Sequence, residues 1–197
     1  MSLNSDRGFA RDWHTNVQPV IKRHGGRPDA DWNWPYQIAP LVLFGMSHRR
    51  GRIFQLTVGS EQRPAAMIAL LSRERWCLDA QNSASFLFFL STAPPECLIV
   101  TNDSGHDVSP KMIGQAALDL AVCIALNECD GRLWLHADPK GSYNLLTWYQ
   151  HRGTEIVDPI THQTLPGFAT GRANDGRYLY FNQNTALRFY NAHAHLR

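Results

Sequence analysis

The stretch that most constrains this chain runs from Ser109 to Asn127. Its polar residues are Lys111, Gln115, Asp119 and Asn127, spaced by fours and eights, with Cys123 filling the gap. Almost everything between them is apolar, from Met112 and Ile113 through Leu118, Leu120 and Val122 to Ile124 and Leu126. A helix with one narrow polar stripe has to bury most of its circumference. Ser109 suits the N-cap and Pro110 the first helical position, so the pattern predicts a start there. Apolar runs flank this helix on both sides. Ser85–Thr92 is continuous and aromatic and stops at Pro94-Pro95; Leu133–Ala137 follows the helix. Continuous apolar runs suit strands covered on both faces. Strand, long helix and strand predict a right-handed βαβ unit with a parallel strand pair.

The remaining chain supplies the rest of a sheet. Arg52–Val58 and Ala65–Leu71 flank the polar Gly59-Ser60-Glu61 and read as an antiparallel hairpin. Upstream, Asp12 to His24 reads as one helix, ended by Gly25-Gly26-Arg27-Pro28. An aromatic loop, Asp31 to Tyr36, comes next. Cys97–Val100 is β-like, whereas Asn102-Asp103-Ser104-Gly105 has loop chemistry. Ser142 to Arg152 predicts a second helix behind the Leu133 strand. Thr154–Val157 and Arg177–Phe181 predict two closing strands, and Asn184 to His195 a short terminal helix.

Composition bounds the function. The 197 residues are 44% hydrophobic and 18% charged, which suits one globular domain spanning 1–197. A net charge of +2 gives no field for nucleic acid. The densest basic run, His48-Arg49-Arg50-Gly51-Arg52, reads as a solvated turn. No run approaches the about 18 apolar residues of a membrane span, and Met1–Asp6 carries no apolar leader. The four cysteines form no Cys-x-x-Cys pair, so a reduced, cytoplasmic protein is expected. His193-Ala194-His195 lacks a third ligand, so no metal is expected. There is no Gly-x-Ser-x-Gly elbow and no Gly-Lys-Ser/Thr loop.

Two places carry chemistry. Lys111-Met112-Ile113-Gly114-Gln115-Ala116 puts small residues in the first turn of the buried helix. A helix N-terminus offers unpaired N–H groups, and small residues let a phosphate approach them. Close packing against the sheet would call for the same small residues. Tyr149 lies on the helix behind the second strand. Its phenol can donate a proton to a leaving group of similar pKa, or simply pack at the helix–sheet boundary.

Taken together, these motifs resemble the GCN5-related N-acetyltransferase superfamily. Lys111-x-x-Gly114-x-Ala116 is similar to that family's Arg/Gln-x-x-Gly-x-Gly/Ala loop, with Lys in the first place. Ser142-x-x-Leu145-x-x-x-Tyr149 followed by Gly153-Thr154 stands where the family has Asn-x-x-Ala-x-x-x-Tyr and Gly-Phe. Gly131-Arg132-Leu133-Trp134-Leu135-His136-Ala137 resembles the Gly-Arg-x-x-Leu-His-Ala run of some members, and Leu90-Ser91-Thr92-Ala93-Pro94 fits the family's strand ending in Ala-Pro. The resemblance is best from about Phe86 to Gly153.

The resemblance implies an α/β fold of the acyl-CoA N-acyltransferase type. This is a mixed, mostly antiparallel sheet with a splayed central parallel pair, flanked by helices. It implies acetyl-CoA as co-substrate and direct acetyl transfer to an amine, either a small molecule or a peptide. Backbone groups at Leu90, Ser91 and Thr92 would then hold pantetheine, and residues Lys111, Met112, Ile113, Gly114, Gln115 and Ala116 the pyrophosphate. Ser142 replaces an Asn that helps hold the cofactor. Tyr149 would protonate the departing thiolate. Glu96, just past the strand end, is the first candidate for general base, followed by His106 and Asp103. Trp32, Trp34 and Tyr36 are the candidate acceptor contacts. A homodimer is common in the superfamily. The rival reading is a non-catalytic module that keeps the fold and binds CoA or a protein partner as a sensor or regulator. The Asn-to-Ser and Phe-to-Thr departures motivate that rival.

Overall fold

The computed structural model describes residues 3–37, 50–101, 104–167 and 172–197. Asp103, named above as a candidate base, lies outside them, as do His48 and Arg49. Helices α1 (Leu3–Asn16), α2 (Gln18–His24) and α3 (Trp34–Gln37) come first. Strands β1 (Arg50–Val58), β2 (Arg63–Arg75) and β3 (Ser83–Thr92) follow, then the two-residue strands β4 (Val100–Thr101) and β5 (Asp107–Val108). Helix α4 (Ile113–Cys129), strand β6 (Leu133–His136) and helix α5 (Ser142–Gln150) form the centre. The chain closes with β7 (Glu155–Ile156), β8 (Tyr178–Phe181) and α6 (Gln183–Ala192).

The sheet order is β1-β2-β3-β6-β8-β7. Every neighbouring pair is antiparallel except β3 and β6. The α/β class and the mixed, mostly antiparallel sheet with one parallel pair therefore match the sequence expectation. Strand alternation divides the core into two layers. Met67, Ala69, Leu71, Phe86, Trp134 and Tyr178 face one layer with Trp13, Ile21 and Trp34 of the N-terminal helices. Ile68, Leu70, Leu87, Leu133, Leu135 and Phe181 face the other with Leu118 and Val122 of α4. Burying a large apolar side chain contributes about 2 kcal/mol. Covering on both faces explains why β2 is fully buried from Ala65 to Leu71.

Three boundaries differ from the sequence reading. The single helix expected over Asp12–His24 is two, beginning at Leu3 and interrupted at Val17. Pro19 accounts for the break, because it lacks an N–H and fits only the first turn of the second helix. The buried helix starts at Ile113 rather than at Ser109-Pro110. The Ser109 hydroxyl donates instead to the Pro95 carbonyl at 3.4 Å, and Met112 takes the N-cap with φ 63°. Asp119, counted in the polar stripe, is 3% exposed and accepts two bonds from Arg197 Nη1 at 2.9 and 3.0 Å. At the far end of α4, Gly131 turns the chain into β6 with φ 78°. A Cβ there would sit 3.0 Å from Ala186, which excludes larger residues.

The feature that positions the site is a bulge in β3. The pairing with β2 passes from Ala69 opposite Phe89 to Leu70 opposite Leu87, so that Phe88 is the extra residue in the register. One extra residue bends a strand and sharpens its twist. It also sets Phe88 and Phe89 against the same layer, with ring centroids 4.4 Å apart, while Leu87 and Leu90 take the other. The parallel pairing with β6 ends at Leu87 opposite Leu135, immediately before the bulge.

Candidate functional site

Beyond Leu87 and Leu135 the two strands part, and a cavity of about 1090 Å³ opens between them. Its walls come from both layers of the fold. On the α4–α5 side lie Gly114, Gln115, Leu145, Trp148, Tyr149 and Arg152. On the opposite side lie Arg27, Asp29, Trp32, Phe88, His136 and Arg172. The cavity thus gives access to the sheet's open edge from either face.

Two devices hold the gap open. The bulge turns β3 away. On the β6 side, Pro139 cannot continue the ladder, and Arg177 fixes the loop that follows. Its Nε donates to the Ala137 carbonyl at 2.7 Å, and its Nη2 donates to the carbonyls of Asp138 and Ser142 at 3.0 and 2.8 Å. The loop therefore turns aside at Asp138, whose carboxylate accepts from the Lys140 amide at 2.8 Å.

At one end of the cavity is the start of α4. The amides of Gln115 and Ala116 both reach the Met112 carbonyl at 2.9 Å. Those of Ile113 and Gly114 donate to no described residue. Unpaired amides at the positive end of a helix favour an anion. Gly114 also serves packing. A Cβ on it would stand 3.4 Å from the Trp148 ring and 3.7 Å from the Thr92 methyl.

Tyr149 is 6% exposed and lines the cavity from α5. Its hydroxyl makes no hydrogen bond with a described residue. Burial pushes its pKa well up, against a smaller pull downward from Arg152, so the phenol keeps its proton at neutral pH. Arg152 lies one turn on. Its guanidinium stacks on Trp148, with Nη1 donating to the Trp148 carbonyl at 2.8 Å, and its buried Nε has no partner among the described residues.

The residues expected from the sequence divide into two groups. Leu90, Thr92, Met112, Ile113, Gly114, Gln115, Ser142, Tyr149 and Trp32 line the cavity. Trp32 does so beside Phe89, their rings 4.7 Å apart. The rest lie elsewhere. Ser91 is buried and donates to Asp29 at 2.5 Å. Next to it Thr92, which does line the cavity, has its carbonyl accepting from Arg27 Nη2 at 2.8 Å. Lys111 is exposed, before the left-handed turn at Met112. Ala116 lies deeper along α4, outside the lining. Trp34 is fully buried, edge-on to Trp13 at 6.3 Å, which makes it core. Tyr36 is 75% exposed and away from the lining. Glu96 is also outside it, on a short turn where its carboxylate pairs with His24. A backbone amide, and after it the neighbouring imidazole, hold Glu96 below the usual carboxylate range. His106 is exposed in the loop before α4 and does not line the cavity.

The sequence reading missed a pair at the cavity wall. His136 Nε2 and Asp175 Oδ2 are 2.9 Å apart. Asp175 Oδ1 accepts from the Arg177 amide at 3.0 Å, so both of its oxygens are fixed. Burial pushes its carboxyl up, but the His136 bond and the Arg177 amide outweigh that and hold it below the usual range. His136 was visible as part of a strand and of the Gly-Arg-x-x-Leu-His-Ala run, with no role attached, and 39 residues separate it from its partner. No periodicity links the two.

Among the described residues no group of three His, Cys, Asp or Glu could hold a metal, and no helix is long and apolar enough to cross a membrane. Compared with family models, curated proteins and solved structures, the chain matches none.

Proposed function

We propose that this protein is an N-acyltransferase of the GCN5-related type, moving an acetyl group from acetyl-CoA to an amine. The observation that carries the reading is the parallel pair parted at Phe88, with one cavity lined by residues of both layers. A pantetheine arm is long, thin and amide-bearing. The edge of β3 beyond the bulge, which β6 does not pair, offers it backbone partners, as a missing neighbouring strand would. The unpaired amides of Ile113 and Gly114 suit a pyrophosphate. Tyr149 stands protonated at the wall, as a general acid requires. Trp32 and Phe89 offer an aromatic wall to the acceptor on the other face.

In this mechanism the amine attacks the thioester carbonyl directly. The carbon–nitrogen bond forms, the adduct collapses, and the carbon–sulfur bond breaks. Tyr149 gives its proton to the departing sulfur, and a base or water takes one proton from the amine nitrogen. Holding both substrates in one cavity supplies much of the rate.

The rival reading, a module that binds without turnover, draws on Gly114 and Thr92. Trp148 takes the space above the one, and Arg27 the carbonyl of the other. Calorimetry with acetyl-CoA, with desulfo-CoA as control, combined with Tyr149→Phe separates the two. The transferase reading requires binding, together with a turnover that falls about 100-fold in Y149F at unchanged affinity. Failure to bind acetyl-CoA sinks it. Binding with no turnover on any amine leaves the module.

A further inference from the structure

We infer that His136, held by Asp175, is the general base that takes the proton from the acceptor amine; this rests on the transferase reading above. Three observations support the assignment. His136 lines the same cavity as Tyr149. The two approach it from opposite layers. Tyr149 packs with Leu135 and Leu146 on the α4–α5 side, while the His136 ring lies 4.5 Å from Tyr178, which belongs to the N-terminal layer with Trp134. An acid on one face and a base on the other is the disposition that transfer through a sheet needs.

The third observation is the tautomer. Asp175 Oδ2 sits 2.9 Å from Nε2 and is an acceptor when ionised. In the neutral ring Nε2 therefore carries the hydrogen, and Nδ1 has the lone pair. Nδ1 has no hydrogen-bond partner among the described residues. A carboxylate that fixes the tautomer and steadies the imidazolium is the arrangement that activates histidine bases elsewhere. Among the described residues the ring also meets Tyr178, whose hydroxyl is bonded to Arg172, and Asp138 lines the same cavity. None is placed as an alternative base held by a carboxylate.

The step balances. The amine lone pair attacks the carbonyl carbon, and the resulting ammonium proton passes to His136 Nδ1. The carbon–sulfur electron pair leaves with sulfur, which takes the Tyr149 proton. Solvent then carries a proton from His136 back to Tyr149, giving amide and free thiol.

The test follows thiol release from acetyl-CoA across a panel of primary amines, with calorimetry of acetyl-CoA alongside. Full-length wild type, H136A, H136Q, D175N and Y149F are compared. H136A and H136Q should lose turnover about 100-fold or more at unchanged acetyl-CoA affinity. D175N should lose turnover as well, since the tautomer is no longer held. Added imidazole should restore H136A and not Y149F, a rescue that a merely structural histidine would not show. H136Q keeps the side chain's length and polarity, so it answers the question if H136A melts early. Wild-type turnover in H136Q would overturn the base while leaving the transferase reading intact. A wild type that binds acetyl-CoA and acylates no amine would overturn that reading, and the base with it.

Discussion

The guanidinium of Arg152 lies 3.7 Å from the centroid of the Trp148 ring, on a helix that faces the start of α4. Stacking of this kind holds a cation without neutralising it. Burial lowers the Arg152 pKa, Tyr149 opposes that, and one buried N–H stays unpaired. A cation with spare donor capacity beside unpaired amides is suited to a phosphate. Arg152→Met keeps the apolar stem on Trp148 and removes the charge. It is expected to weaken acetyl-CoA binding about tenfold and flatten its salt dependence, with little change in melting temperature. Calorimetry at two salt concentrations checks this, and an unchanged affinity would mean that Arg152 only packs.

Ser142 sits at φ 56°, ψ −167°, where glycine is nearly the only comfortable residue. Arg177 holds its carbonyl there. Strain of this sort costs about 1–3 kcal/mol. Ser142→Gly should therefore stabilise the protein by about 1 kcal/mol, measured by urea unfolding. Destabilisation would show that the serine hydroxyl, which accepts from the Asn144 amide at 3.3 Å, matters more than the backbone.

Asp119 yields a pH prediction. Burial raises its pKa, and the Arg197 guanidinium, with smaller help from His193 and His195, pulls the other way without cancelling it. The folded state thus holds this proton more tightly than the unfolded chain. Its contribution is greatest below the ordinary carboxylate pKa and declines as pH rises toward the folded value. Asp119→Asn removes the titration, so wild type should lose ground to it as pH is raised from the acid side of the ordinary carboxylate range to neutral. Arg197→Ala, which strands the carboxylate, should cost about 1–3 kcal/mol at neutral pH, a figure reduced for the partly exposed arginine. Parallel unfolding curves at both pH values test the sign.

How much of this was legible depended on the range of each signal. The buried helix, its flanking strands and the β1–β2 hairpin were readable because periodicity is local. Gly114 and Tyr149, which line the cavity, were singled out by motif spacing, which survives substitution around it. Trp34 was misplaced because an aromatic residue in a loop carries no mark of which way it turns; Trp13 and Phe89 decide that in three dimensions. The Ser109 start failed because the serine's partner, the Pro95 carbonyl, lies in another turn. Arg177, Asp175 and Arg27 act on groups 39 to 65 residues away. Hydrogen bonds of that reach leave no pattern in a single sequence.

Phe88 has one more consequence. Strands count in twos, and this residue makes the count between Leu87 and Leu90 odd. Its deletion would restore even parity. Phe89 would then take the Phe88 place and every later residue would keep its layer, while the two-ring step against the N-terminal layer would vanish. The strand would be free to run straight alongside its parallel neighbour and zip shut. The opening in this sheet is thus written as a single unit of arithmetic, one residue more on one strand than on the next.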